Sequence, residues 1–554
     1  MMRKKVKNII CLMLAFVMMT SIVGCQSKEE TKQRADYQFN QTGYPIVDEP
    51  ITLKVAVANA STDKVNETEL VKYIKEEFGI ILECVPYTGG DWSTEFTLML
   101  ASDNLPDLII NASTSVSAIN EYGMDDYFLP INDYLDLAPN MKSYFDEYPE
   151  YETMCTAEDG NIYGLTTIDQ NIYNRVNRCF IDQRWLTNVG MEMPETVDEL
   201  YEVLKAFKEQ DANGNGDPND EIPISDIGGY QRSFVPILNA FGMPTNNMTS
   251  GRCLDEDGKL YFPYVTDNYR AYLEYMNKLY EEELIDQSVF TRTYENLCEL
   301  ASNNQVGMYG CAAPYVYAKQ DVNYDANFNA VFGLTSDYCD EPYVVMDSAT
   351  DSTVTAVISA NTQYPEACVR LLDYFYTDRG ILDAALGVEG VTYDMVEKSY
   401  APGVKVQQMR QPEGYSSAEV YRYQKATISD GFAFVLPVKG DQPELVMAAS
   451  DEVLYGDEMV ADFGWYVLLE RRMRQIDVVD AVPKLSYTKQ EGKDKSTITT
   501  DISTYIKQIT TQFITGKMDI TDSNWNSYVK TVKQMGLEDW LKIEQTAYER
   551  MMEK

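Results

Sequence analysis

The chain that follows position 50 alternates between two hydrophobic periods. Residues 51–58 (ITLKVAVA) place apolar side chains at nearly every second position, which is typical of a strand. Ile80–Pro86 and Asp107–Ile110 predict two more strands. Glu67–Phe78 and Trp92–Ala101, which separate the three strands, carry apolar residues at helical spacing. This βαβαβ order predicts a parallel sheet with right-handed crossovers.

The middle of the chain is also mixed, and its end is helical. Glu195–Gln210 and Asn268–Glu283 are predicted helices. From Ile502 onward the pattern stays helical, with Trp525 and Trp540 at core-like spacing. The strands predicted in the middle are Ile222–Ile227, Gly258–Val265 and Val306–Tyr309.

The first 24 residues have the pattern of a signal peptide. Basic residues precede an apolar run from Ile9 to Val23, which is too short to span a membrane. The run ends in Gly24-Cys25, which resembles the bacterial lipobox, where cleavage leaves the cysteine first and lipid is attached to its sulfur. Two acyl chains, such as palmitate, anchor a protein stably. We therefore expect Cys25 to anchor the chain to the outer face of the cell membrane, with 25–50 as a flexible tether.

Composition excludes several classes of function. The formal net charge is −41, which repels nucleic acid. The chain has no histidine, so Ser-His and Cys-His hydrolases and histidine-ligated zinc are excluded. Its cysteines are scattered with no C-x-x-C pair, so no disulfide framework or zinc site is indicated.

A loop after the helix Glu195–Gln210 carries the sharpest chemical motif. Asp211-Ala-Asn-Gly-Asn-Gly-Asp217 places oxygen-bearing side chains at positions 1, 3 and 5 and glycine at position 6, as in the start of an EF-hand loop. The twelfth position is Ile222 instead of glutamate, and the loop enters a predicted strand. We expect a single structural Ca²⁺ site; the alternative is a plain Asn-Gly turn. The candidate ligands are Asp211, Asn213, Asn215, Asp217, Asp220 and Glu221, with Asn219 as an alternative to Asp220.

Several segments together resemble one protein family. They are Ala101–Asp107 (ASDNLPD), Asp159–Leu165 (DGNIYGL), Ile181–Leu186 (IDQRWL), Pro194–Leu200 (PETVDEL), Leu279–Asp286 (LYEEELID) and Phe513–Lys517 (FITGK). In order and spacing they are similar to family-1 extracellular solute-binding lipoproteins of bacterial ABC importers, in the subgroup with a calcium loop. The resemblance covers nearly the whole mature chain.

The resemblance implies an α/β fold of the periplasmic-binding-protein type, with two lobes joined by a hinge. The first lobe would contain 51–166 and about 350–437, and the second 167–349 and about 438–554. The chain would cross between them near Leu165–Gln170, near Asp347–Thr355 and near Pro437. A ligand would lie between the lobes, and closure would present both to a membrane permease.

Candidate ligand residues follow the predicted strands. A sugar needs aromatic platforms for its C–H faces and planar polar groups for its hydroxyls. Tyr315 follows a proline after a strand, the place where the resemblance implies an aromatic ligand residue. The other candidates are Trp92, Tyr230, Gln231, Asn59, Asn111, Ser113 and Asp169.

The leading hypothesis is a monomeric, lipid-anchored binding protein that captures an oligosaccharide and hands it to an ABC permease without covalent chemistry. Two alternatives stay open. One is a carboxylate-based surface glycoside hydrolase, which needs two carboxyl groups about 5–10 Å apart in a groove. The other is a surface lipoprotein that binds peptides or acts as a sensor.

Overall fold

The computed structural model describes residues 34–58, 60, 64–87, 92–229, 232–415, 417–428, 437–438 and 443–553. The chain divides into two compact units, Met1–Tyr37 and Gln38–Lys554. Every described helix and strand lies in the second unit. The predicted signal peptide, Cys25 and the first part of the predicted tether lie outside the described residues. None of the described helices is long and apolar enough to cross a membrane.

Six strands form the larger sheet. In sheet order they are β15 (Pro437–Val438), β4 (Gly164–Asp169), β12 (Thr350–Ile358), β3 (Leu108–Ser115), β1 (Ile51–Ala58) and β2 (Ile80–Tyr87). β1 pairs in parallel with β2 and β3, so the predicted parallel arrangement of the first three strands is confirmed. β12 is antiparallel to both β3 and β4. The three predicted crossings fall on β4, β12 and β15, which lie side by side; the lobe boundaries themselves stay a prediction.

Four strands form the smaller sheet. In sheet order they are β10 (Phe328–Ala330), β5 (Cys179–Asp182), β9 (Val306–Gly310) and β6 (Ile222–Ser225). Successive side chains of a strand point to opposite faces. Accordingly, Cys179 and Ile181 enter one buried apolar cluster and Phe180 enters another. Both faces of this sheet are therefore covered.

Three two-stranded ribbons complete the strands found among the described residues. They are β7 (Cys253–Leu254) with β8 (Leu260–Tyr261), β11 (Tyr343–Met346) with β16 (Asp477–Asp480), and β13 (Tyr393–Glu397) with β14 (Lys405–Met409). The strand predicted at Gly258–Val265 is wrong beyond Leu260–Tyr261, because a 3-10 turn occupies Pro263–Val265. Pro263 has no N–H to donate to a strand ladder, so pairing stops before it.

Helices cover the sheets and form the end of the chain. In chain order they are α1 (Glu69–Phe78), α2 (Trp92–Ala101), α3 (Val116–Met124), α4 (Pro139–Glu147), α5 (Pro149–Cys155), α6 (Gln183–Val189), α7 (Val197–Glu209), α8 (Val235–Ala240), α9 (Asp267–Glu281), α10 (Tyr294–Ser302), α11 (Pro314–Tyr317), α12 (Pro365–Tyr374), α13 (Asp378–Leu386), α14 (Ala418–Tyr421), α15 (Pro443–Ala448), α16 (Asp451–Leu454), α17 (Asp457–Phe463), α18 (Trp465–Met473), α19 (Lys489–Ile514), α20 (Asp522–Gln534) and α21 (Leu537–Met552). The packing role predicted for Trp525 and Trp540 is confirmed, since both belong to the buried cluster on one face of the smaller sheet.

Candidate ligand-binding site

The carboxyl end of β3 is irregular. Asn111 and Ser113 have positive φ angles of 57° and 49°, and the register with β12 shifts between Val354 and Ala356. The Asn111 amide donates to the Ala58 carbonyl oxygen at 3.1 Å, which ties the ends of β1 and β3 together. Ser113 donates to the Asn111 side-chain oxygen at 3.1 Å. Bulges and strained backbone of this kind are common at functional sites, and sheets of this type bind ligands beyond the carboxyl ends of their strands.

Trp92 packs against this end of the sheet. Its ring N–H donates to the Ala112 carbonyl oxygen at 2.6 Å. The ring is only 6% exposed and packs against Phe96 and Tyr87. Little of the indole is left for a ligand, whereas Tyr87 is half-buried. The ligand role of Trp92 stays a prediction, and Asn59 lies outside the described residues.

Asp169 ends β4 and lines an open cavity of about 370 Å³ beside Arg175, Asp347, Asp351 and Lys484. Burial raises the pKa of Asp169 to about 6, against a lowering by the Asn171 N–H. The positive charge of Arg178, which comes directly before β5 of the smaller sheet, also lowers this pKa, so the two side chains are close enough to interact electrostatically.

Two arginines lie at the facing end of the smaller sheet. Arg178 comes directly before β5, and its guanidinium carbon lies 4.8 Å from the centroid of the Trp465 ring. Arg178 also donates to the Ala312 carbonyl oxygen at 3.3 Å. Burial, together with the nearby charge of Arg232, lowers the pKa of Arg178 to about 10. Holding two like charges together costs free energy, which a ligand with acceptor groups would relieve.

Tyr315 lies at the same end, in α11 and three residues beyond Ala312. It is half-buried, as are Trp465, Arg178 and Arg232. We call Asp169, Arg178, Arg232, Tyr315 and Trp465 the cleft cluster. The neighbouring candidates Tyr230 and Gln231 lie outside the described residues.

Within the cleft cluster, Asp169 and Tyr315 are predicted from the sequence, whereas Arg178 and Trp465 are not among the predicted ligand residues. The sequence could have indicated Arg178 as a ligand candidate, because it is a polar residue directly before an apolar strand. It could not have indicated Trp465, because a tryptophan that begins a helix also fits a core position. The cluster offers aromatic faces, guanidinium forks and a carboxylate, which suits the binding of a polar ring compound.

The predicted calcium loop forms a closed hydrogen-bonded turn between α7 and β6. The amides of Asn213 and Asn215 each donate to the Asp220 carboxylate at 2.9 Å. The Gly216 N–H donates to the second oxygen of Asp211 at 2.9 Å. The Asp217 N–H donates to the Asn215 side-chain oxygen at 2.7 Å. The backbone thus curls around a set of oxygen atoms.

Three carboxylate oxygens in this loop are buried without a hydrogen-bond partner of ordinary geometry: Oδ1 of Asp211 and both oxygens of Glu221. Burial raises the pKa of Glu221, and the charges of Asp220 and Asp211 raise it further. As placed, no three His, Cys, Asp or Glu side chains among the described residues form a metal-holding group. The residues nevertheless fit a hard cation, because buried carboxylates without partners are costly and amide and carbonyl oxygens are also calcium ligands.

Comparison with known proteins places the chain among binding proteins. A family model described as bacterial extracellular solute-binding protein matches residues 64–381. The fructooligosaccharide ABC transporter substrate-binding protein FusA of Streptococcus pneumoniae is 25% identical over 556 residues, which is 96% of this chain and 95% of that protein. Lipoprotein LipO of Bacillus subtilis is 30% identical over 204 residues, 36% of this chain and 37% of LipO.

Solved structures show the same fold. The structure of S. pneumoniae FusA with kestose has a TM-score of 0.71 and 24% identity, and the alignment covers 91% of this chain and 99% of that one. The alginate-binding protein AlgQ2 has a TM-score of 0.66 and 22% identity, with 91% and 99% covered. The predicted two-lobed α/β fold is confirmed. The chain belongs to the bacterial extracellular solute-binding protein family.

Proposed function

We propose that this member of the bacterial extracellular solute-binding family captures an oligosaccharide between the ends of its two main sheets and delivers it to an ABC permease. The cleft cluster is the observation that carries the proposal. It includes Asp169 at the carboxyl end of β4 in the larger sheet and Arg178 at the start of β5 in the smaller one, two side chains whose charges interact. A ligand held there contacts both sheets at once.

The chemistry of the cleft cluster suits a sugar. The face of Trp465 can pack against the C–H face of a pyranose or furanose ring, and Tyr315 offers a second aromatic ring nearby. The guanidinium groups of Arg178 and Arg232 donate to hydroxyl oxygens, while Asp169 accepts from hydroxyl groups. These groups bind without forming or breaking a covalent bond.

The adjacent crossing strands support a closing motion. β15, β4 and β12 lie side by side at one edge of the larger sheet, where the predicted crossings fall. A sugar shifts the balance between open and closed forms only if it binds the closed form better. Contacts to both sheet ends supply that difference in affinity.

Relatives support the class of ligand. FusA, which matches this chain along 96% of its length, is named for fructooligosaccharides. A second relative from B. subtilis is named as a polygalacturonan/rhamnogalacturonan-binding protein and is 28% identical over 38% of this chain. Both names refer to carbohydrate polymers or oligomers.

A fluorescence titration with purified mature chain tests the proposal. The panel contains kestose, a galacturonan oligomer, a mannose oligomer and a tripeptide. We expect one of the sugars to change the tryptophan emission saturably, and we expect Trp465→Ala to weaken the affinity for that sugar, measured by isothermal titration calorimetry, at least tenfold, about 1.4 kcal/mol.

Tyr455→Ala is the matched control. Tyr455 is exposed, and Arg471 lies 4.8 Å from its ring centroid, the same arrangement as Arg178 and Trp465. This variant should bind as the unmodified chain does. Response to the tripeptide alone, or release of shorter sugars during the titration, would contradict the proposal.

We further propose that the loop holds one structural Ca²⁺. The carboxylates of Asp211 and Glu221 would hold it, together with the side-chain oxygens of Asn213 and Asn215 and the backbone carbonyl of Asp217. Asp220 would keep the two asparagines oriented or supply a further oxygen. A bound ion would neutralise the buried carboxylates of the loop.

Anchoring through Cys25 is also a proposal. The apolar run before it and the polar residues Gln26–Glu30 after it support a lipid-modified, tethered chain. Expression of Cys25→Ser in a Gram-positive host should move the protein from the membrane fraction to the medium. Retention of Cys25→Ser in the membrane fraction would argue against this anchor.

A further inference from the structure

One buried carboxylate lies beneath both aromatic residues of the cleft cluster. Asp325 sits in the 3-10 turn Val322–Asn327 and is fully buried. Tyr315 and Trp465 belong to the starts of two different helices, α11 and α18, which are far apart in the chain. The two helix starts meet at Asp325.

The contacts of Asp325 are with backbone, so they fix the path of the chain. Its Oδ1 accepts from the Tyr315 N–H at 2.8 Å. A Cβ added at Gly464 would lie 2.6 Å from its Oδ2, so that oxygen is directly beside the start of α18, where it is buried and accepts no hydrogen bond of ordinary geometry. The N–H groups of Tyr315 and Trp465 both lower the pKa of the carboxylate. A negative charge is stabilised at helix starts, where N–H groups lack partners within the helix.

Burial opposes this stabilisation. It raises the pKa of Asp325 to about 7, against the lowering by the two N–H groups. The titratable groups that interact with its charge are Tyr309 and Cys311 from β9 and the segment after it, and Tyr324 from its own turn. Burial raises the pKa of each of them, so all are neutral near pH 7.

We propose that Asp325 is a positioning residue for the cleft: its carboxylate holds the starts of α11 and α18 so that Tyr315 and Trp465 face a ligand together, and loss of its charge loosens them. The ligand part of this inference rests on the proposed function; the mechanical part does not. Protonation removes the charged acceptor of the Tyr315 N–H and at the same time weakens the electrostatic attraction to the Trp465 N–H. Acid should therefore disturb Trp465 before it disturbs the fold.

The emission of Trp465 reports the effect without any added sugar. It is obtained as the difference between the unmodified chain and Trp465→Phe, measured from pH 5.5 to 8.5. The chain has no histidine, so few other groups titrate in this range. Two that do are Asp169 and Asp226, whose pKa values burial raises to about 6.

We expect a sigmoidal change with a midpoint near pH 7 that is absent in Asp325→Asn, whose signal at pH 8.5 should resemble that of the unmodified chain at pH 5.5. Asp383→Asn is the control. Asp383 is an equally buried carboxylate that accepts from Tyr374 and Arg379, so its loss should affect stability but not the Trp465 signal. A midpoint near pH 7 that persists in Asp325→Asn would overturn the proposal. A Trp465 emission that does not change with pH in the unmodified chain would also overturn the proposal. That result needs no variant, so it tests the proposal even if Asp325→Asn does not fold.

Affinity for kestose gives the second readout. In the unmodified chain it should fall on the order of tenfold between pH 8.5 and pH 5.5, and in Asp325→Asn it should already be weak at pH 8.5, with only the smaller pH dependence that Asp169 contributes. Equal pH dependence in both proteins would overturn the positioning role. If kestose does not bind at any pH, the choice of sugar is wrong, and the Trp465 titration still tests Asp325 alone.

Discussion

The calcium loop allows a prediction about one substitution, Glu221→Gln, whose effect on stability should differ between the calcium-free and the calcium-bound protein. Glu221 is only 5% exposed, and both of its carboxylate oxygens are buried without a hydrogen-bond partner. Without a cation this buried charge destabilises the folded protein, so Glu221→Gln should leave the stability of the calcium-free protein in EDTA unchanged or raise it. With calcium the same change removes a ligand and should lower stability.

The size of the effect follows from mass action. Calcium at one hundred times its dissociation constant stabilises the folded form by about 2.7 kcal/mol. For a domain of a few hundred residues this corresponds to a rise in Tm of about 5 °C. The unmodified chain should show this rise between EDTA and saturating Ca²⁺, and Glu221→Gln should lose most of it.

The pH dependence has a definite sign. The pKa of Glu221 is raised in the folded, metal-free protein, so the folded form binds more protons than the unfolded form above the ordinary glutamate pKa. Stability of the chelated protein should therefore fall as the pH rises through that window. Calcium should abolish this contribution, because it holds the carboxylate ionised.

Scanning calorimetry with and without EDTA measures these quantities, and Glu209→Gln is the control. Glu209 is an exposed residue at the end of α7, just before the loop, and its substitution should leave the calcium effect intact. Equal Tm values in EDTA and Ca²⁺ for the unmodified chain would refute the reasoning. A full calcium effect in Glu221→Gln would refute the role of Glu221.

Two further predictions concern stability and thiol chemistry. Glu544 is fully buried and accepts from Lys495 at 2.9 Å and from Arg252. Glu544→Ala should therefore lower the free energy of unfolding, measured with denaturant, by about 3–5 kcal/mol. A decrease below about 1 kcal/mol would contradict a buried ion-pair network. The eight described cysteines form no disulfide with one another and only Cys339 among them is partly exposed, while burial raises the pKa of Cys84 to about 12. A thiol reagent should therefore label one of these eight in the folded protein and all of them in denaturant; rapid labelling of several would contradict this burial.

Local pattern was enough to predict much of the fold. The alternation in Ile51–Ala58 and the helical stripe of Glu69–Phe78 both come from burial on one face, which sequence displays directly. The predicted helix start at Glu67 was two residues early, because Val65–Glu67 forms a 3-10 turn before α1. The predicted strand Gly258–Val265 was too long for a local reason as well, because a 3-10 turn begins at Pro263.

The site was harder to predict, because its residues come from distant parts of the chain. Arg178 and Trp465 meet only when β5 and α18 pack together, and no periodicity encodes that meeting. The left-handed backbone at Ser113 is equally invisible in sequence, since serine rarely adopts it. The calcium loop could be predicted because its candidate oxygen ligands lie in one short segment of the sequence, from Asp211 to Glu221.

A crystal structure of the chain with its sugar bound tests the central claim most directly. The account predicts a sugar ring against Trp465, with Arg178 and Arg232 donating to its hydroxyl groups and contacts from both sheets. A sugar bound elsewhere on the surface, with the cleft cluster free of it, would contradict the account.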